Sequence, residues 1–301
     1  MTAEAPASAL EIFERYRPFL EDHPCPLCRS DSFQSMATRE KYGFPVRAAL
    51  CGGCGLLSLR PMWSQEGYAL FYQEDYRRLT CAGRPAEDRV AQQQALGGWL
   101  VQTGLSGAVR LTPESQVLEI GCDQGALLGV LRGAFGCRVA GVEPNLQAAE
   151  MARGLGIPVG TGSFDGSRYE PGSFDLVVLT KTLNHIVQPV KAVDDVARIL
   201  KPDGFFYLDV LDVVRASSCR KVYAQIDHPF MYGEATLKAL LESRGFRIAR
   251  IWRLRTRFGI EIWLLAQKVA SFSVPAEGYS YNGVGRRVRW QLWVNALKGF
   301  L

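Results

Sequence analysis

Twelve consecutive residues constrain this chain most: Val117-Leu-Glu-Ile-Gly121-Cys-Asp123-Gln-Gly125-Ala-Leu-Leu128. An apolar strand runs directly into a glycine turn, and the turn opens a helix. Gly121 permits the sharp reversal, and Gly125 lets a ligand approach the backbone at the helix N-terminus. Similar apolar, β-branched runs recur at 137–143, 173–180 and 204–211, after the first at 116–120, with helical segments between them. Strands separated by helices predict an α/β chain, a Rossmann-like, doubly wound and mostly parallel sheet. Two further strand-like runs, 246–255 and 260–269, flank only the turn Thr-Arg-Phe-Gly and predict an antiparallel C-terminal hairpin. At 301 residues, 48% hydrophobic and 22% charged, the chain has ample apolar content for such a core.

The ligand follows from the charges around the turn. Glu143 ends the second strand in Ala-Gly-Val-Glu-Pro-Asn, 22 residues after Gly121. An acid at that place in an α/β nucleoside site accepts from both ribose hydroxyls. A dinucleotide fingerprint would have glycine where Asp123 stands, and this carboxylate would repel a pyrophosphate. Glu119 adds a second negative charge at the strand end. The loop therefore suits a cationic ligand that carries an amino group.

A separate signal lies upstream. Cys25-Pro-Leu-Cys28 and Cys51-Gly-Gly-Cys54 are two thiol pairs with 22 residues between them. Two residues between ligands let one tight turn aim both thiolates at a single ion, and two such turns close a tetrahedral four-sulfur site. With no open position for water, Zn2+ there is expected to be structural. His23 lies two residues before Cys25 and is not needed as a ligand. The spacing predicts a small N-terminal zinc ribbon over 1–62, a helical connector and cap over 63–112 that contains Phe71-Tyr-Gln-Glu-Asp-Tyr-Arg-Arg78, the α/β unit over 113–270 and a tail helix over 271–301. A helix from about 85 to 104 is expected to break at Gly97-Gly98.

In sequence, Val-Leu-Glu-Ile-Gly-Cys-Asp-Gln-Gly, Ala-Gly-Val-Glu-Pro, Phe-Asp-Leu-Val-Val-Leu-Thr-Lys-Thr-Leu-Asn-His-Ile and Ile-Leu-Lys-Pro-Asp-Gly-Phe-Phe resemble the motifs of class I S-adenosylmethionine-dependent methyltransferases. The resemblance covers residues 95–270. It implies Glu119, Gly121 and Asp123 near the methionine moiety and Glu143 on the ribose, and Gly125 at the helix N-terminus completes the cofactor-binding set. It also implies Ser163, Phe164 and Asp165 at the adenine, and Thr180 near the cofactor. The ribbon, the aromatic connector and the Gly-x-x-x-Gly-x-Leu-Leu core together resemble bacterial deoxysugar C-methyltransferases and the smaller ribbon-bearing methyltransferases of polysaccharide and natural-product pathways. The C-methyltransferases carry a further C-terminal domain and a Tyr-His-Glu-His stretch whose second histidine is the base. Here the matching stretch is Gln225-Ile226-Asp227-His228, which keeps only that second histidine. Methyl transfer to a sugar or natural-product hydroxyl is the reading preferred over carbon methylation of a nucleotide deoxysugar.

Removal of the hydroxyl proton calls for a base, and the chain has three histidines. His228 and His185 both follow strand ends, and Asp227 is the third candidate. Tyr76, Tyr223 and Tyr232 are candidates for the acceptor pocket. Residues 1–60 are charge-neutral while 247–301 carry a net +8, so an anionic acceptor or partner belongs near the C-terminal third. A neutral ribbon argues against an rRNA methyltransferase, since phosphate neutralisation needs clustered Lys and Arg. A non-catalytic scaffold with the cofactor fold is the reading from another class. The tail helix carries Trp290 and Trp293 beside Arg286, Arg287 and Arg289, a pattern that suits a membrane surface or, preferably, the core or a second subunit of a homodimer. No leader or apolar span is evident in the sequence, which sets a cytoplasmic location as the expectation.

Overall fold

The computed structural model describes residues 7–36, 40–80, 86–214, 224–256, 259–269, 281 and 283–298. Helix α1 (Ala7–Tyr16) buries Ala9, Ile12, Phe13 and Tyr16 along one stripe. Arg15 Nη1 and Tyr16 Oη donate to Asp75 Oδ2 at 2.7 and 3.0 Å, tying α1 to the connector. Strand β1 (Leu20–Glu21) pairs with β5 (Met62–Trp63), while β2 (Phe33–Ser35), β3 (Arg47–Cys51) and β4 (Leu57–Arg60) form an antiparallel meander. The aromatic connector divides at Asp75 into α2 (Gln65–Glu74) and α3 (Tyr76–Thr80), with Ser64 capping α2 by accepting from Gly67 N at 3.3 Å.

Helix α4 (Ala86–Trp99) continues into a π-helical turn at Leu100–Gly104. The break expected at Gly97-Gly98 does not occur. A Cβ on Gly97 would lie 2.9 Å from Val130 Cβ, so this glycine permits close approach of α5 (Ala126–Phe135) rather than ending α4.

The remaining elements are β6 (Gln116–Ile120), β7 (Arg138–Glu143), α6 (Leu146–Gly154), β8 (Val159–Thr161), β9 (Phe174–Thr180), α7 (Pro189–Ile199), β10 (Leu200–Leu211), β11 (Phe230–Met231), α8 (Glu234–Glu242), β12 (Phe246–Thr256), β13 (Gly259–Lys268) and α9 (Val284–Lys298). The central sheet has the order β12-β13-β10-β9-β6-β7-β8. Strands β6 to β10 pair in parallel, and β13 closes the sheet antiparallel to both β10 and β12. This is the α/β architecture expected, including the hairpin. The order reverses between β6 and β9, and ligands of such sheets bind beyond the strand C-termini at that reversal.

Strand β11 pairs antiparallel with β4, so the cysteine-bearing sheet is completed from a segment far downstream. One apolar core runs through both sheets, joining Leu57, Leu59 and Trp63 to Leu118, Val177 and Leu208. Helix α9 buries Val284 and Val288. Its Arg289 Nη1 donates to Gly52 O at 2.9 Å, so one side of the tail packs on the second cysteine turn. The Trp290 and Trp293 rings lie 5.1 Å apart, tilted against each other, on its exposed side. Among the described residues no helix is long and apolar enough to cross a membrane.

Candidate active site

The loop between β6 and α5 has the backbone its glycines imply. Gly121 and Gly125 have φ of +77° and +75°, and Asp123 adopts +46° between them. A side chain at Gly125 would press on Ile157 and Ala152. Glu143, at the tip of β7, accepts from Asp123 N at 3.0 Å and Asn145 N at 2.8 Å. Those bonds fix the carboxylate beside the loop and leave each oxygen a further lone pair.

Glu119 is fully buried, and Thr180 Oγ1 donates to its Oε1 at 3.3 Å. Burial pushes its carboxyl up to about 8 despite that bond, with Asp123, Glu143 and Asp209 adding repulsion. Its Oε2 has no hydrogen-bond partner among the described residues. A buried carboxylate oxygen left unpaired is unfavourable, and a ligand's ammonium is the kind of donor that would satisfy it. The residues present therefore fit S-adenosylmethionine.

Asp123 departs from expectation. Its carboxylate receives Arg77 Nη2 of α3 on Oδ1 and Arg89 Nε of α4 on Oδ2, the latter at 3.2 Å. Its charge is already met by two guanidinium groups, so it does not add to the loop's attraction for a cation. Gln93 bridges the same loop, donating to Cys122 O and accepting from Ala126 N, both at 3.3 Å. Arg77 lies in the aromatic stretch 71–78 and Arg89 and Gln93 in the following helix, but no sequence pattern ties any of them to this loop. Only packing of α3 and α4 over the loop brings them there.

Of the residues expected at the adenine, Asp165 accepts from Ser167 N and Oγ at 3.1 and 2.8 Å and caps the short turn Gly166–Arg168. Phe164 stacks near Tyr169 at 6.3 Å, and Ser163 is exposed.

The candidate bases converge. His185 lies in the turn after β9, and its ring centroid is 4.7 Å from that of His228. Asp227 Oδ2 lies 3.7 Å from His228 Nε2. His185 Nδ1 is 2.7 Å from Asp227 O, and because a carbonyl only accepts, that nitrogen carries the proton and Nε2 the lone pair. Tyr72, which the sequence reading placed in the connector and not at the site, donates to Asp227 O at 2.8 Å and lies 3.0 Å from His185 Nδ1. Tyr76 packs edge-on against the His185 ring at 5.7 Å. Burial, and then the neighbouring His228, push His185 down to about 4. His228 is also lowered by burial, with Asp227 opposing and Lys41 adding to the shift. Both imidazoles are neutral at neutral pH, the form that accepts a proton.

Of the other candidate acceptor tyrosines, the structure places one away from this cluster. Tyr232 is fully buried, and its hydroxyl feels Cys25 and Cys54, because β11 turns it into the cysteine-bearing core. Tyr223 lies outside the described residues.

The four cysteines of the spacing argument do meet. Cys25 and Cys54 Sγ are 3.5 Å apart, Cys28 and Cys51 Sγ 3.4 Å, and all four lie within 4.8 Å of one another. A tetrahedral zinc with Zn–S of about 2.3 Å sets sulfurs about 3.8 Å apart, so the donor set fits that ion. His23 is turned elsewhere, its Nδ1 2.9 Å from Pro24 O.

A glycine turn at a strand-order reversal, faced by a β-tip acid, defines a nucleoside-binding α/β fold. A family described as a methyltransferase domain matches residues 92–251, more than half of the chain. The chain belongs to this methyltransferase family. It is similar to an O-methyltransferase of Penicillium expansum, 26% identical over 162 residues, covering 49% of this chain and 58% of that protein. It is also similar to a ubiquinone biosynthesis O-methyltransferase of Thiobacillus denitrificans, 30% identical over 104 residues, covering 32% of this chain and 44% of the relative. Among solved structures, magnesium protoporphyrin IX methyltransferase of Synechocystis has a TM-score of 0.50 at 16% identity, over 68% of this chain and 100% of that one.

Proposed function

We propose that this protein transfers a methyl group from S-adenosylmethionine to the hydroxyl of a small molecule, a sugar or natural product. The observation that carries the reading is the meeting of His185, Asp227 and His228 beyond the end of β9, the strand whose Thr180 touches Glu119. Two of the relatives are named as O-methyltransferases, which supports oxygen over carbon. Bound cofactor would supply the methyl group on a sulfonium sulfur. Glu143 would accept from the ribose hydroxyls, and Glu119 Oε2 from the ammonium. The loop glycines leave room for the ligand against the backbone. The acceptor's hydroxyl proton passes to the His228 imidazole, and Asp227 offsets the charge that forms. In-line approach of acceptor oxygen to the methyl carbon is then a matter of positioning. Zinc at the four cysteines is the ion this reading assigns as structural.

Glu143→Ala tests the cofactor half. A charged hydrogen bond contributes about 1.5–3 kcal/mol, so loss of the carboxylate should weaken S-adenosylmethionine at least tenfold by calorimetry, with the circular dichroism spectrum kept. Unchanged affinity overturns the ribose assignment.

Glu119 gives a second test. With its carboxyl at about 8 it is mostly protonated at pH 7, and an ammonium placed on Oε2 favours the ionised form. Cofactor binding at pH 7 should therefore release a proton. The apparent binding enthalpy should depend on the buffer's ionisation enthalpy, and Glu119→Gln should remove that dependence. Equal enthalpies in phosphate and Tris would show that no ammonium meets this group.

A further inference from the structure

We propose that Glu40 is the positioning residue that holds the segment bearing Asp227 and His228 in register with the rest of the site. The proposal rests on the reading of that segment as the acceptor side.

Residues 224–229 contain no helix or strand of their own, yet they must hold Asp227 and His228 in place. Three other elements supply the hold. Glu40, in the spacer between the cysteine pairs, is 4% exposed and uses both carboxylate oxygens. Oε2 accepts from Tyr42 N at 2.6 Å and Phe44 N at 2.9 Å, closing its own turn. Oε1 accepts from Ile226 N at 3.1 Å, one residue before Asp227. The backbones adjoin as well: Glu40 and Ala224 form a parallel bridge, and Lys41 N donates to Ala224 O at 2.8 Å. From α2, Tyr68 Oη donates to Ile226 O at 2.8 Å and Tyr72 Oη to Asp227 O at 2.8 Å. Leu59 N of β4 donates to Pro229 O at 3.0 Å, just before the β11 pairing begins.

Burying a carboxylate is unfavourable unless its oxygens are paired, and here three backbone donors pair them. An apolar side chain of similar volume would fill the same space without that cost. What the carboxylate adds is a two-sided grip, one oxygen on the ribbon turn and the other on Ile226. If Ile226 N is released, the segment keeps only its tyrosine contacts, and Asp227 O, the acceptor of the His185 Nδ1 proton, is held less firmly.

Glu40→Gln separates grip from filling. The amide retains one acceptor oxygen, which the turn's two N–H groups hold, and its NH2 then faces the N–H of Ile226, donor against donor. In the zinc-loaded full chain, amides of 224–231 should exchange with deuterium about tenfold faster, while β6 and β7 keep their protection. The 15N spectrum of labelled histidine should lose the protonated Nδ1 signal of His185. S-adenosylmethionine affinity should hold within twofold. A purely space-filling Glu40 would leave the histidine spectrum and the exchange unchanged, and that result overturns the proposal. If Glu40→Gln fails to fold, native-state exchange of the unaltered chain in graded urea decides. Segment 224–231 should open together with residues 40–60, and opening with β6 and β7 instead overturns the grip. These readouts need no acceptor. Full turnover by a His228 variant would remove the acceptor-side reading while leaving the exchange result standing.

Discussion

His228→Ala is expected to lower methyl-transfer turnover by about 10²–10⁴-fold, the usual contribution of a positioned base, while cofactor affinity stays within twofold. The partly buried ring makes the direction of the pH dependence specific. Burial lowers the imidazole from its ordinary value, Asp227 raises it in part, and Lys41 lowers it again. The neutral, proton-accepting form therefore persists below pH 6.5, and the rate should fall with acid only below that point. His185 should behave differently. Pushed down to about 4, it is the weaker base, and its Nδ1 proton is committed to Asp227 O. Its alanine variant should lose turnover because Asp227 loses a donor, with the acid limb of the pH profile still set by His228. Near-full turnover by His228→Ala, once an acceptor is in hand, leaves catalysis to positioning or to Asp227.

What the sequence disclosed was local. β6 runs over Gln116–Ile120, the span its apolar run predicts, and β7 and β9 begin one residue inside theirs, because β-branched runs bounded by glycine and proline carry their own boundaries. The glycine turn lies at the reversal of strand order and Glu143 beside it at the tip of β7, because only one helix and one strand separate those residues. The cysteine pairs meet because ligand spacing is itself geometry. What stayed hidden was set by packing across long separations. Arg77 and Arg89 reach Asp123 from positions 46 and 34 residues away, and even the aromatic stretch that carries Arg77 does not show that it turns onto this loop. Tyr72 meets Asp227 across 155 residues and Glu40 meets Ile226 across 186. Gly97 was misjudged because a glycine that ends a helix and one that admits a neighbour look alike in sequence. Tyr232 was misassigned for a related reason: the two-residue β11 is too short to show the alternation that would have pointed it inward.

Loss of the four-cysteine site should be the most damaging change to the fold. The chain is expected to purify with one zinc, and Cys51→Ala combined with Cys54→Ala should abolish it by metal analysis. Structural zinc in small finger peptides contributes about 10–16 kcal/mol at pH 7, comparable with the whole stability of about 5–15 kcal/mol of an ordinary domain. The ribbon's short strands, β2 with three residues and β4 with four, cannot replace that contribution. Its collapse should also travel. Cys54 O accepts from Thr236 of α8 at 3.1 Å, Gly52 O from Arg289 of α9, and β4 carries β11. The acceptor-side segment lies between these attachments, so methyl transfer should disappear with the zinc. The glycine loop is held differently, by α5 and by Arg77, Arg89 and Gln93 of the connector. Chelation should therefore release the N-terminal unit in a first thermal transition, while cofactor binding survives until a second. Retention of zinc by the double variant would show that the thiols do not hold it. A single transition shared with the core would instead mean that the common apolar core, from Leu57 to Leu208, couples the two sheets more strongly than the metal does.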